Sequence, residues 1–325
     1  MKIVNSQNQL GMNNLPVLAQ EKYLKIKSDN YGWFEDENYI LPYFIDKRLI
    51  FKRMVFTYGL IPKKDNLNID NEKQFLNNMV KYVKKHKMCD FIYKAQSNVV
   101  FNVCPDGSDC VEWGTYYVNL IDNYEQLLMT FHGKHRNVIR NALKNGVIIK
   151  ESDNLEKIYN CIRDTLSRQG SIHFPSFEYI NNLYKNLRSN VLMLEAIKNN
   201  ELQGVAIIIY DNDRAYYMYG GSKVRPFTGS LNLLQFEAMK ILHRRGVKVY
   251  DFVGARINVE KGSKYEGLQR FKERFGATLQ KGYAFRYIVN PLKFKLFNLI
   301  SKNYLKLKGY NYIDPIDSIK SMENQ

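Results

Sequence analysis

The chain has 325 residues, enough for two domains with separate cores, and its 45% hydrophobic and 14% aromatic content excludes a disordered protein. Lys and Arg number 48 against 32 Asp and Glu, a formal charge of +16. That surplus favours polyanionic partners: nucleic acid, nucleotide-linked precursors or an anionic membrane surface. The runs at Lys63-Lys64 and Lys81 to Lys87 read equally well as solvated surface.

Four cysteines, at 89, 104, 110 and 161, lack metal-ligand spacing, so no metal site is expected. Cys104 and Cys110 flank a turn signal and can face each other across a hairpin, but reduced, buried cysteines are the expectation. The first sixteen residues carry no apolar leader and no run reaches 18 apolar residues, so a reduced cytoplasmic protein is expected.

In chain order, residues 16–28 suit a short helix. Residues 38–45 and 49–56 read as a hairpin around a charged turn at Asp46-Lys47-Arg48. Residues 70–87 form an amphipathic helix with Phe75, Met79, Tyr82 and Val83 on one face and Asp70 as the available N-cap. Strands follow at 91–93, at 99–101 and after Trp113-Gly114. Residues 123–145 repeat apolar side chains at helical spacing and bend at Gly133. Their Lys134, Arg136, Asn137, Arg140, Asn141 and Lys144 make a basic face suited to phosphate, with His135 at the apolar edge.

Two helices, from Asn154 and from about Pro175, precede strands at 192–197, 203–210 and 214–221 joined by short turns. A helix from Ser230 to Arg245 leads to a strand that leaves Asp251 near its end. A loop and a short cationic helix from about Gly267 come next, then a second strand. Phe271 and Phe275, four apart, dock that helix by one face and turn Lys272 towards the end of the preceding strand. This element order is that of an acetyltransferase-like (GNAT) α+β domain, and residues 33–150 read as a degenerate copy.

The segments Tyr216 to Ser222, Leu233 to Lys240, Tyr250-Asp251-Phe252, Phe271 to Gly276 and Asn290-Pro291 resemble the FemABX group of peptidyltransferases, as does His135 to Val147. Those enzymes move an amino acid from aminoacyl-tRNA to the stem peptide of a peptidoglycan precursor. The resemblance covers residues 124–295. It implies two tandem GNAT-like domains with a groove between them: 1–150 on the acceptor side, rejoined by the 291–325 tail, and 151–290 as the catalytic domain. It further implies an acyltransferase without a cofactor, using aminoacyl-tRNA as co-substrate and a nucleotide- or lipid-linked cell-envelope precursor as partner.

In that frame Lys272 meets the developing oxyanion and Phe271 packs beside the acyl or ribose end. Asp251 is either a base or amine orienter or a residue bonded to local backbone. Arg168 matches an arginine used near the acceptor's phosphates or carboxylate. Tyr217 and Tyr219, sharing a strand face, line the groove or the core. Two other readings stand beside this one. An acyl-CoA-dependent N- or O-acyltransferase of surface polysaccharide would want a Gly-rich loop where residues 222–230 offer one glycine and a proline. A non-catalytic nucleic-acid or membrane-surface binder would use the basic, amphipathic stretch 291–308, which in either case suits peripheral attachment to the inner face of the membrane.

Overall fold

The computed structural model describes all residues except 13, 172, 173, 324 and 325. The chain folds into two compact units: residues 1–115, 254–266 and 280–325 form one, and residues 116–253 and 267–279 the other. The division falls inside the strand Asp109–Asn119, upstream of the boundary expected at 150. The helices Tyr124–Thr130 and Gly133–Lys144 account for the difference, because they belong to the second core. Phe131, between them, meets Phe236 and Phe275 edge to face at 5.7 and 5.1 Å.

In the first unit, strands Lys2–Val4, Tyr31–Glu35, Tyr39–Arg48, Phe51–Phe56 and Phe91–Ile92 lie in that order, and Tyr287-Ile288 closes against Phe91-Ile92. The pairing is antiparallel except between Phe51–Phe56 and Phe91–Ile92. The helix Ile69–Lys85 lays Phe75, Leu76, Met79 and Val83 on Phe34, Leu41, Met54 and Phe56. Trp33 and Ile40 face the other way, onto Leu24 and Ala19, so the sheet is covered on both faces. Asn68, not Asp70, caps the helix: its side chain accepts from the backbone N–H of Asp70 and Asn71 while Asn71 answers its own N–H.

The hairpin turns one step later than its charges indicate. Asp46, Lys47 and Arg48 stay in the strand, where Asp46 pairs across the ladder with Arg53, and the two-residue loop is Leu49-Ile50. Cys104 and Cys110 form a disulfide, which corrects the expectation of reduced thiols there; Cys89 and Cys161 are free and buried. The tail returns to this unit. The helix Pro291–Leu307 buries Phe294 and Phe297 against Phe51 and Phe91, and the helix Pro315–Glu323 sets Ile316 and Ile319 on Val111, Trp113 and Ala284.

In the second unit the strands run Tyr117 to Asn119, Val249–Asp251, Arg214–Ser222, Glu201–Tyr210, Val191–Lys198 and Ile148–Glu151. Asn199 and Asn200, both at positive φ, make the tight turn between two of them. The helix Ser230–Arg244 packs Leu234, Ala238, Met239 and Leu242 into the core. All neighbours are antiparallel except Arg214–Ser222 and Val249–Asp251. Those two pair only from Arg214 to Tyr216 and from Val249 to Asp251, and their ladder ends there. Ends of parallel strands are where open sheets receive ligands.

Candidate active site

The sequence around this opening makes a tight turn. Asp251 is fully buried at the strand end; its Oδ2 pairs with Arg214 Nη1 at 3.1 Å and its Oδ1 accepts the N–H of Val253 at 2.8 Å. Val253 stands at φ 43°, a left-handed conformation in which a β-branched side chain crowds its own backbone. Asp251 supplies the bond that holds it there. The Asp251 carboxylate thus bonds the backbone of its own turn.

The helix Lys264–Glu273 brings Lys272 to that turn from the other side. Its Nζ donates to the Val253 carbonyl oxygen at 2.5 Å. Burial disfavours the charged ammonium and pushes its pKa down to about 8, with Asp251 opposing the fall. Near neutrality the lysine is still mostly a cation, in surroundings that screen it poorly.

Three bonds fix the end of this helix. Tyr116 donates from its hydroxyl to Glu273 Oε1 at 2.6 Å, the N–H of His132 donates to the Arg274 carbonyl at 2.9 Å, and His135 Nε2 lies 3.1 Å from the Phe271 carbonyl. Burial pushes His135 down to about 4, so the imidazole is neutral at pH 7 and serves Phe271 as an N–H donor. Phe275 is fully buried among Phe131, His135, Phe252 and Phe271, with ring centroids 4.6 to 5.2 Å apart. Gly276 follows at φ 67°, where a Cβ would stand 2.8 Å from the Thr130 carbonyl oxygen. The Phe-Gly pair therefore stops the helix at one angle and leaves Lys272 little freedom.

Of the residues singled out in the sequence, Lys272, Phe271, Asp251 and Tyr217 converge. Phe252 joins them: its ring is 6.5 Å from Phe271 and 6.4 Å from Tyr217. A bulge separates the two tyrosines, since Ile207 faces Tyr219 while Ile208 faces Tyr217. Tyr217, pushed up to about 12 by burial, bonds Gln235, whereas Tyr219 bonds Tyr179, whose ring lies 6.2 Å away. The remaining arginines do structural work or face solvent. Arg168 Nη2 donates to the Ser222 carbonyl at 2.5 Å; Arg136 Nη1 donates to the carbonyls of Met129 and Phe131 at 3.1 and 2.5 Å, closing the helix before its own. Arg140 is exposed. Sequence reasoning gave no role to Tyr116, Arg214 or Glu273, and marked His135 only as an apolar helix edge and the head of a family-like segment. Among the described residues no three His, Cys, Asp or Glu side chains gather as metal ligands.

The sequence model of the FemAB family matches residues 196–302, a span that contains Arg214, Tyr217, Asp251, Phe271 and Lys272. Over that span the chain is similar to the FemAB family. Among curated relatives, the Lipid II:glycine glycyltransferase of Staphylococcus haemolyticus is 32% identical over 106 residues, and that of Staphylococcus aureus 30% identical over 122. These matches take in 32% and 35% of this chain but only 25% and 29% of the relatives' length. A crystal structure of FemX superposes with a TM-score of 0.65 at 17% identity, covering 91% of this chain and 99% of that one. The structure of L-PGS from Bacillus licheniformis gives a TM-score of 0.50, also at 17% identity, over 82% and 86%. The two-unit α+β fold of the chain is thus shared with FemX.

Proposed function

We propose that this chain is a FemABX-type aminoacyltransferase that moves an aminoacyl group from aminoacyl-tRNA to an amine of a peptidoglycan or other cell-envelope precursor. One observation carries the reading: a lysine ammonium, depressed towards neutrality by burial, is pinned at 2.5 Å to the turn where two parallel strands end. In the reaction the acceptor nitrogen forms a C–N bond to the ester carbonyl, and the C–O bond to the ribose breaks. The tetrahedral intermediate between them carries a full negative charge on the former carbonyl oxygen. The Lys272 ammonium, held at the Val253 turn, is the cation that would stabilise that oxygen's charge. The amine's proton passes to the departing ribose oxygen. Asp251, tied to Arg214 and Val253, acts as a positioning residue in this scheme, and no cofactor is required. The curated relatives, named as lipid II:glycine glycyltransferases, support a lipid-linked acceptor class.

An acyl-CoA donor is less well served. Gly229, at the head of the helix Ser230–Arg244, lies so close to the helix Gly133–Lys144 that a Cβ would stand 2.0 Å from the Val138 carbonyl oxygen. A pyrophosphate cradled at that helix start would have to share the space with this packing. Incubation of the full chain with glycyl-tRNA and lipid II, in parallel with acetyl-CoA, separates the donors. Transfer of labelled glycine that depends on Lys272 supports the reading. Saturable CoA binding without tRNA binding would sink it.

A further inference from the structure

The hairpin tip and the outer face of the helix Pro291–Leu307 are both greasy and both open to solvent. Leu49 and Ile50 are 79% and 61% exposed, and Leu292 and Leu307 are 80% and 89% exposed. These segments are distant in sequence but are held side by side. Lys293 Nζ donates to the Ile50 carbonyl at 3.3 Å, and Phe51, next along the hairpin, meets Phe297 edge to face at 5.4 Å.

The helix has two distinct faces. Phe294 and Phe297 point inward. At 3.6 residues per turn, Leu292, Leu296, Leu299 and Leu307 fall in one stripe on the opposite side. Lys295, Lys302 and Lys306 run along one edge of that stripe and Lys293 along the other, and the helix has no acidic residue. Lys47, Arg48 and Lys52 flank the hairpin tip in the same way.

The tip is also built at a cost. Leu49 occupies φ 54° in a two-residue loop, where Asn or Gly would sit without strain. Nothing in the fold repays that choice with burial, because the side chain points into solvent.

We infer that Leu49-Ile50 and the outer stripe of the helix Pro291–Leu307 together form a docking surface for an anionic lipid bilayer. The leucines enter the acyl boundary, and Lys295, Lys302 and Lys306 along the edge extend their amines to lipid phosphates. Charge selects this occupant. A nucleic-acid backbone satisfies lysines but gains nothing from a leucine stripe. A second copy of the same face would set lysine against lysine, because the nearby acids Asp46 and Asp90 already pair with Arg48 and Arg53 and with Lys293. The surface is separate from the Lys272 site and does not depend on the transfer reaction.

Co-sedimentation of the full chain with phosphatidylcholine vesicles, alone or mixed with phosphatidylglycerol, tests the inference. Three proteins are compared: wild type, L49G/I50N, which suits the turn, and L292Q/L299Q/L307Q. The expected result is binding to the anionic vesicles that weakens with added salt and falls by about tenfold in each variant. Lys272→Ala should bind like wild type, so failure of the transfer reading leaves this result standing. Wild-type protein that stays in the supernatant with anionic vesicles overturns the proposal, as does equal binding by all three proteins. Loss of tRNA binding in the variants with vesicle binding intact assigns the surface to RNA instead. A wild-type dimer that becomes monomeric in the variants, again with vesicle binding unchanged, assigns it to self-association.

Discussion

Asp251 and Lys272 hold opposite ends of one residue: Asp251 Oδ1 accepts the N–H of Val253 at 2.8 Å, and Lys272 Nζ donates to its carbonyl at 2.5 Å. The carboxylate and the ammonium of the site therefore communicate through a single strained residue as well as through space. Lys272→Ala should leave the fold intact and lower kcat for aminoacyl transfer by about 10²- to 10³-fold, the range for loss of one preorganised oxyanion donor. Single-turnover transfer from charged tRNA measures it, and unchanged turnover would falsify the assigned role.

The alkaline limb of the pH profile belongs to the same lysine. With its pKa near 8, the ammonium loses its proton as pH rises through that value, so kcat should fall above about pH 8. Lys272→Arg keeps its charge throughout this range, and whatever activity it retains should show no such fall. A wild-type limb lying above pH 10 would mean that the side chain is solvated during turnover.

Asp251→Asn separates positioning from acid–base chemistry. The amide oxygen can still accept the Val253 N–H, but Arg214 loses its counter-charge, and breaking a buried pair of this kind costs roughly 3–5 kcal/mol of stability. Asp251 is also what opposes the fall in the Lys272 pKa, so the alkaline limb should move to lower pH in the variant. A merely structural carboxylate would lower the melting temperature and leave that limb in place.

His135 makes the fold sensitive to acid. Its native pKa of about 4 lies below the ordinary 6.5, so the unfolded chain binds more protons between those values. Stability from this site is fully present above about pH 6.5 and is lost as pH falls towards 4, a total of roughly 3 kcal/mol. Chemical denaturation at pH 7 and at pH 4.5 should show the loss, and His135→Gln should remove most of the difference while lowering stability at pH 7.

Phe275→Ala should destabilise by about 3–5 kcal/mol, because four aromatic rings lose their shared neighbour. Gly276→Ala should cost about 1–2 kcal/mol from the left-handed backbone alone, with the Thr130 contact added. Both are read from urea midpoints at constant m-value. A neutral Phe275→Ala would mean that the lysine helix is not anchored by this ring.

Local periodicity was enough to place the lysine helix, since Phe271 and Phe275 are four residues apart and Lys272 must leave by another face. It was also enough for the meander and its Asn199-Asn200 turn. Partners brought in by tertiary folding left no such trace. The Phe271 carbonyl that meets His135 lies 136 residues further along, and Arg214 is 37 residues from Asp251. The boundary near 115 was hidden because one strand, Asp109–Asn119, runs straight through it, and alternation along a strand does not report a change of unit. The turn at Leu49-Ile50 defeated the rule that turns are polar, and the charges beside it were pairing across the ladder instead.

The return of residues 280–325 to the first unit has a bearing on synthesis. During translation the N-terminal 115 residues emerge first but lack Tyr287-Ile288 against Phe91-Ile92, and they lack Phe294, Phe297, Ile316 and Ile319 from their cores. The second unit needs nothing beyond residue 279. The unit that begins first is thus finished last, and its unpaired strand edge must wait on the ribosome while its neighbour folds, which makes the nascent chain a client for whatever shields exposed edges in the cell.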